Sequence, residues 1–402
     1  MNVVQINNTD LIGRRFNGYD LKTTLNALGH QAHQIVLEKE STDDNTISLL
    51  DDYERAFIKD TLLRGIEYEL DIHNLLIPWG RAIMENEHFK NADIVHYHLI
   101  HNRMISLLDI EKLFNAKSSV WTIHDPWVIS GHCIYPHKCE QWKVGCTNCE
   151  ISNDASQIWK IKEQVYKKIN PHIIVASEFS ERYIKESPLT SHFNNIYKIP
   201  FGIEIDKFTS VDNVSARKYL NVPQDHLVLA FRETLDENKG LKYIIKMLEN
   251  LDIYENVTLL TVGGKALPNH IKEKYNTIQL EWKSDSKTII NFFNACDIFI
   301  MPSLVESFGL MAIEAMASGK PVIVFKETVL EEITYAPNCG IAVHYKDWKA
   351  LKEVVNRLLL NPDERYARGE KGKSLAKEYY SYDRYVNQHI ELYKSIIGMN
   401  KI

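Results

Sequence analysis

Residues 295–325 of this chain read ACDIFIMPSLVESFGLMAIEAMASGKPVIVF. The apolar run Ile298, Phe299, Ile300, Met301 reads as the end of a short buried strand, and a turn bearing Ser307 and Gly309 follows it. Residues 310–317 hold good helix formers and neither Gly nor Pro, and Gly319 stands where a helix C-cap is expected. Residues 321–325 return to an apolar strand. Strand, turn, helix, strand is one crossover of a parallel sheet, so the fold class is α/β. In such a unit the turn lies at the carboxyl edge of the sheet, where the next helix presents unpaired N–H groups and a positive dipole end. That edge suits an anionic ligand.

Two carboxylates add a second requirement. Glu306 lies in the turn and Glu314 about two helical turns further on, so both can reach one ligand at different points along its length. A phosphate repels a carboxylate, whereas hydroxyl-rich groups on either side of a phosphate need acceptors. Ribose, pyrophosphate and sugar in a row, a nucleoside diphosphate sugar, has that form. On spacing alone the competing reading, a solvated turn residue and a surface helix position, stands equally well, because acidic residues favour helix starts.

The segment resembles the nucleotide-sugar site of the family 4 retaining glycosyltransferases, whose signature is Glu-x7-Glu with Phe-Gly after the first Glu and a Gly-x-Pro-Val strand beyond. By that resemblance Glu306, with the backbone of Ser307, Phe308, Gly309 and Leu310, holds the transferred sugar and pyrophosphate, and Glu314 the ribose hydroxyls. Gly263, just beyond the strand read at 258–262, joins the donor-binding group.

A chain of 402 residues suggests two domains. Hydrophobic content of 45% and charged content of 25% are those of a soluble globular protein, and a net charge of −6 argues against a bulk nucleic-acid binder. Residues 1–8 carry no basic region or apolar core of a signal peptide, and no run approaches 18 apolar residues. The expectation is a cytoplasmic protein, either free or peripheral at the inner face of the membrane. Short apolar strands are predicted at 3–6, 34–37, 94–98, 120–124 and 173–176, with a polar loop at 7–18 and a helix at 19–28. Pro200 and Gly202 mark a seam, after which strand and helix alternate afresh.

The sequence around the seam, Pro200-Phe201-Gly202-Ile203 with Asp206 and Phe208, resembles the interdomain linker of the same transferases. The implied architecture is two Rossmann-like doubly wound domains facing across a cleft, called GT-B. Its N-terminal, acceptor-side domain would span 1–205 and its nucleotide-sugar domain 206–379, with a helix at about 380–402 packing back on the first.

Further candidates follow the strands. Arg232 and Lys239 flank the loop after the first strand of the second half, where two cations could neutralise a diphosphate leaving group in place of a metal. Lys239-Gly240 matches the family pattern, while Arg232 stands two residues before the usual Arg position, which is Thr234 here. His124 and Asp125 end a strand of the first half; a His there can bond a sugar hydroxyl and the adjacent Asp can fix its tautomer. The resemblance places His124 beside the transferred sugar. His96 and His98 face one side of their strand; the pair resembles metal ligands, but with no third ligand in the sequence nearby a packing or acceptor-contact role is the preferred reading. Gly13, Arg14 and Arg15 occupy the loop after the first strand, where the family carries Gly-Gly; the arginines would greet an anionic acceptor.

Cys133, Cys139, Cys146 and Cys149 form Cys-x5-Cys-x6-Cys-x2-Cys. Two readings stand: a structural zinc ion, or buried thiols or a redox pair. No cofactor is expected for catalysis. Residues 158–169 are apolar at 158, 161, 165 and 169 with lysines between, either an interfacial helix on anionic lipid or an ordinary amphipathic helix.

The function expected is transfer of a sugar from a nucleoside diphosphate donor to a saccharide or lipid-linked saccharide acceptor in bacterial polysaccharide assembly. A nucleotide-sugar epimerase, a phosphorylase and a non-catalytic sugar-nucleotide partner are the rivals. A dinucleotide oxidoreductase is disfavoured, because no Gly-x-Gly-x-x-Gly follows the first strand.

Overall fold

Continuous apolar runs with no polar alternation make strands that must be covered on both faces, which a parallel sheet wrapped by helices provides. The computed structural model describes residues 1–50, 53–70, 72–253, 255–282 and 286–399 and forms two such units, residues 1–200 with 385–402 and residues 201–384. The first sheet comprises β1 (Asn2–Ile6), β2 (Gln31–Val36), β3 (Thr46–Ser48), β4 (Ile94–Tyr97), β5 (Ser118–Ile123), β6 (His172–Val175) and β7 (Ile196–Lys198). All pairs are parallel, in the order β3-β2-β1-β4-β5-β6-β7.

The second sheet comprises β8 (Leu227–Glu233), β9 (Val257–Gly263), β10 (Asn276–Glu281), β11 (Ile298–Met301), β12 (Val322–Phe325) and β13 (Ile341–Val343). Its order is β10-β9-β8-β11-β12-β13, again all parallel. Fully buried Val322, Ile323, Val324 and Phe325 show why this sheet reads as uninterrupted apolar sequence.

Strand order reverses direction between β1 and β4 in the first sheet and between β8 and β11 in the second. At such a switch point the two connecting segments leave to opposite faces, and a crevice opens outside the carboxyl ends of the strands. In each unit separately, residues singled out by sequence lie beyond these strand ends: His98 and the 7–18 loop in the first, Lys239 and Glu306 in the second, with Arg232 in β8 just before its end.

Helix Ala155–Tyr166 settles the reading of residues 158–169. Ile158, Trp159, Tyr166 and Ile169 are buried in the core of the first unit, and Ile161 and Val165 pack against it. The apolar face already covers the protein's own core, so the interfacial-helix expectation is corrected: this face is not open to lipid. Lys162, expected at the surface, is fully buried and donates to the carbonyls of Trp127 (2.6 Å) and Ser130 (2.8 Å), its ammonium 3.5 Å from the Trp127 ring centroid. No described helix is long and apolar enough to cross a membrane.

Candidate active site

In the second unit, β11 ends at Met301 and helix Leu310–Ala317 begins after Gly309, whose φ of 103° lies in the left-handed region. Between them Glu306 turns back and pairs with Lys239, Nζ to Oε1 2.8 Å, while Ser303 Oγ donates to the same oxygen at 3.0 Å. Sequence reasoning gave these two residues separate ligand groups; the fold brings them into one ion pair, each side chain about 13–14% exposed. The Lys239 loop is held by close backbone contact: Leu304 N–H donates to Asn238 O at 2.7 Å, and a Cβ on Gly240 would lie 2.0 Å from Pro302 O. Only glycine lets the loop approach β11 so closely, which is the physical content of the Lys-Gly pattern.

Arg232 lies on β8 with its guanidinium 4.9 Å from the Trp282 ring centroid, and its buried Nε has no hydrogen-bond partner among the described residues. A buried guanidinium N–H without an acceptor is costly, and an anion would satisfy it. Glu314 is on the helix, 1% exposed. Phe308 is buried and packs edge-on against Phe201 (5.2 Å) and Tyr380 (5.9 Å) within the same unit, so its side chain anchors the turn and only its backbone can serve a ligand. Gly263 closes β9, and the loop after it is fixed by Glu233. That fully buried carboxylate accepts from Thr261 Oγ1 (2.7 Å), Gln279 Nε2 (2.8 Å) and the amides of Leu267 (2.7 Å) and Ala266. Sequence reasoning passed over Glu233 and Trp282; a glutamate inside an apolar strand was the available signal.

In the first unit the carboxyl edge is lined by neutral rings. His96 and His98 on and just beyond β4 stand 4.2 Å apart, and His98 Nδ1 lies 3.1 Å from His124 Nε2. Burial pushes the His124 pKa down to about 4 and holds His96 and His98 well below the usual range. The expected tautomer partner is corrected here: His124 Nε2 is engaged by His98, while Asp125 pairs with His101 (3.3 Å) and accepts from Trp127 N–H (3.0 Å). The Asp125 backbone is extended, which turns its carboxylate onto the start of the next helical turn. In the 7–18 loop, Gly13 has a φ of 73°, exposed Arg14 bonds Asp20 (2.6 Å), and Phe16, next to Arg15, lies 5.6 Å from His124 between ring centroids.

The four thiols Cys133, Cys139, Cys146 and Cys149 are free, and Gly131 N–H donates to Cys146 Sγ at 3.3 Å. Burial, then the neighbouring Cys149, Cys146 and Cys139, push the Cys133 thiol up. Among the described residues a different group brings three ligand atoms within 4.8 Å of one another: His73, His132 and Asp154, with His73 Nδ1 2.7 Å from Asp154 Oδ2. A cavity of about 530 Å³ in this unit is lined by His73, His101, Arg103, Trp127, His132 and Tyr135, among others.

Residues 213–375 match the family model described as glycosyl transferases group 1. A D-inositol 3-phosphate glycosyltransferase from Corynebacterium urealyticum is 26% identical over 57% of this chain and 58% of its own. The capsular polysaccharide biosynthesis glycosyltransferase CapM of Staphylococcus aureus is 27% identical over 52% and 57%. The chain thus spans less than two thirds of the length of these relatives. The crystal structure of Anabaena Alr3699/HepE in complex with UDP superposes with a TM-score of 0.69 at 15% identity, covering 98% of this chain and all of that one. The fold is GT-B. Within it, the matched segment 213–375 contains Arg232, Lys239, Glu306 and Glu314.

Proposed function

We propose that the protein is a retaining glycosyltransferase that moves a sugar from a nucleoside diphosphate donor to a saccharide or lipid-linked saccharide acceptor in polysaccharide assembly. The observation that carries this reading is the Lys239–Glu306 pair at the switch point of the second sheet, with Arg232 on the neighbouring strand β8, its Nε without a partner among the described residues. A diphosphate entering this edge takes over the charge of Lys239 and satisfies Arg232; Glu306, released from the ion pair, accepts from a hydroxyl of the transferred sugar. The dipole of helix Leu310–Ala317 adds to the positive field, and Glu314 takes the ribose hydroxyls. In the other unit, His124 bonds a sugar hydroxyl as a neutral ring.

Support for transfer over the epimerase, phosphorylase and non-catalytic readings comes from the matched family and from relatives named as glycosyltransferases. The UDP bound to HepE makes uridine diphosphate sugars the first donors to try. The test is donor hydrolysis or transfer by the purified protein. Glu306→Ala should abolish it while the fold is kept, and equal activity in that variant would sink the reading.

The cysteine loop is proposed to hold a structural zinc ion through Cys133, Cys139, Cys146 and Cys149. In support, a backbone N–H of Gly131 reaches Cys146 Sγ at 3.3 Å, the kind of contact that orients a ligating sulfur. Metal content by mass spectrometry should read about one zinc per chain, lost in Cys146→Ser with Cys149→Ser and kept in His73→Ala. The opposite pattern would move the metal to His73, His132 and Asp154.

A further inference from the structure

The histidines of the first unit form a chain with a readable polarity. Gln5 on β1 faces His98 Nε2 with Oε1 at 2.8 Å, and its Nε2 lies 3.4 Å from Tyr393 Oη on helix Tyr382–Met399. An amide oxygen only accepts, so His98 carries its proton on Nε2. A neutral imidazole has one N–H, so His98 Nδ1 accepts, and the donor 3.1 Å away is His124 Nε2–H. Nδ1 is then the accepting nitrogen of His124.

Tyr393 Oη accepts from Gln5, which leaves its one proton for His96 Nδ1 at 2.6 Å; His96 Nε2–H then reaches Thr122 Oγ1 at 2.7 Å. With the amide in this orientation every hydrogen bond is donated in one direction, from His124 through His98 and Gln5 to Tyr393 and on through His96 to Thr122. The chain is closed on its remaining side by Gly18, where an added Cβ would stand 2.7 Å from His98 Nε2 and 2.8 Å from Gln5 Oε1. These rings are fully or almost fully buried, so water is excluded as an alternative partner along most of the chain.

We propose that Gln5, His98 and Tyr393 are positioning residues that hold His124 as the Nε2–H tautomer, so that it meets a substrate hydroxyl as a hydrogen-bond acceptor through Nδ1. The role of the hydroxyl rests on the transferase reading; the tautomer does not. A sugar hydroxyl bound by His124 then donates its proton to the ring, which discriminates against a donor sugar lacking a hydroxyl at that position.

The test uses full-length protein labelled with ¹⁵N-histidine. Two-bond ¹H–¹⁵N correlation distinguishes a protonated from a bare ring nitrogen, and His124 is assigned by the signals that vanish in His124→Asn. The expected pattern at neutral pH is Nε2 protonated and Nδ1 bare in the wild type. In Gln5→Leu and in Tyr393→Phe it becomes a mixture or inverts. A wild-type His124 protonated on Nδ1, or nitrogen shifts unmoved by both variants, would overturn the assignment. Kinetically, His98→Phe should lower kcat by about tenfold or more with donor KM little changed, and His98→Asn, which offers an acceptor near the Nδ1 position, should recover much of it. Loss of donor binding and kcat together, without rescue, would mean a merely structural role. Because the spectrum needs no substrate, absence of turnover with any donor would count against the transferase reading alone.

Discussion

The two units solve the same topological problem with opposite chemistry. Each is a parallel sheet whose order reverses beside its first strand, and each places its notable side chains at or just beyond the carboxyl ends at that reversal. The second unit arms the edge with charge: Lys239 against Glu306, and Arg232 stacked on Trp282. The first lines it with His96, His98 and His124, backed by His389, all kept neutral by burial. A charged edge is suited to a ligand that carries its own charge, such as a diphosphate. A neutral, polarised edge is suited to hydroxyls, whose recognition depends on who donates to whom.

The contrast is broken most forcefully by acid. The unfolded chain binds protons on histidine below about pH 6.5, whereas the folded chain keeps His124 and His389 neutral down to about 4. Stability is therefore fully present above pH 6.5 and falls as the pH drops through that window, by about 3 kcal/mol for each of these two rings. Denaturant melts at pH 7, 6, 5 and 4.5 check the slope; a flat profile would show that the neutral edge is charged or hydrated after all. Among single substitutions, Glu306→Gln has the largest expected effect. It keeps the shape but removes the negative charge, and should lower kcat by about 10²–10³-fold with binding of the free nucleoside diphosphate retained or improved. A change confined to KM would instead make Glu306 a ground-state contact. The smallest expected effect is at the platform under Arg232: Trp282→Leu removes a cation–π contact of about 1 kcal/mol, a roughly fivefold loss in diphosphate affinity by calorimetry. No change in affinity would leave Arg232 outside the site.

What was legible in the sequence was local. Residues 295–325 gave strand, turn, helix and strand because each signal, an apolar run, glycines at turn and cap, helix formers between, lies within a few residues of the structure it makes. The three-residue strands β3, β7 and β13 were not predicted, since edge strands this short carry too few side chains to set a period. Lys239 and Glu306 were each legible as ligands, but their pairing across 67 positions was not. The histidine chain was the least legible part: Gln5, His98, His124 and Tyr393 sit on three strand ends and the last helix, and only folding makes them neighbours. Lys162 misled in the other direction, because a lysine stripe reads as solvated surface unless carbonyl groups from a distant loop wait beneath it.

Thermal melting of the protein against a panel of nucleotide sugars and free nucleoside diphosphates tests most directly whether the charged edge is a nucleoside diphosphate sugar site. The predicted result is a rise in Tm with at least one donor and its nucleoside diphosphate, abolished in Lys239→Ala at saturating ligand for the wild type. A Tm unmoved by every member of the panel, or moved equally in Lys239→Ala, would contradict it.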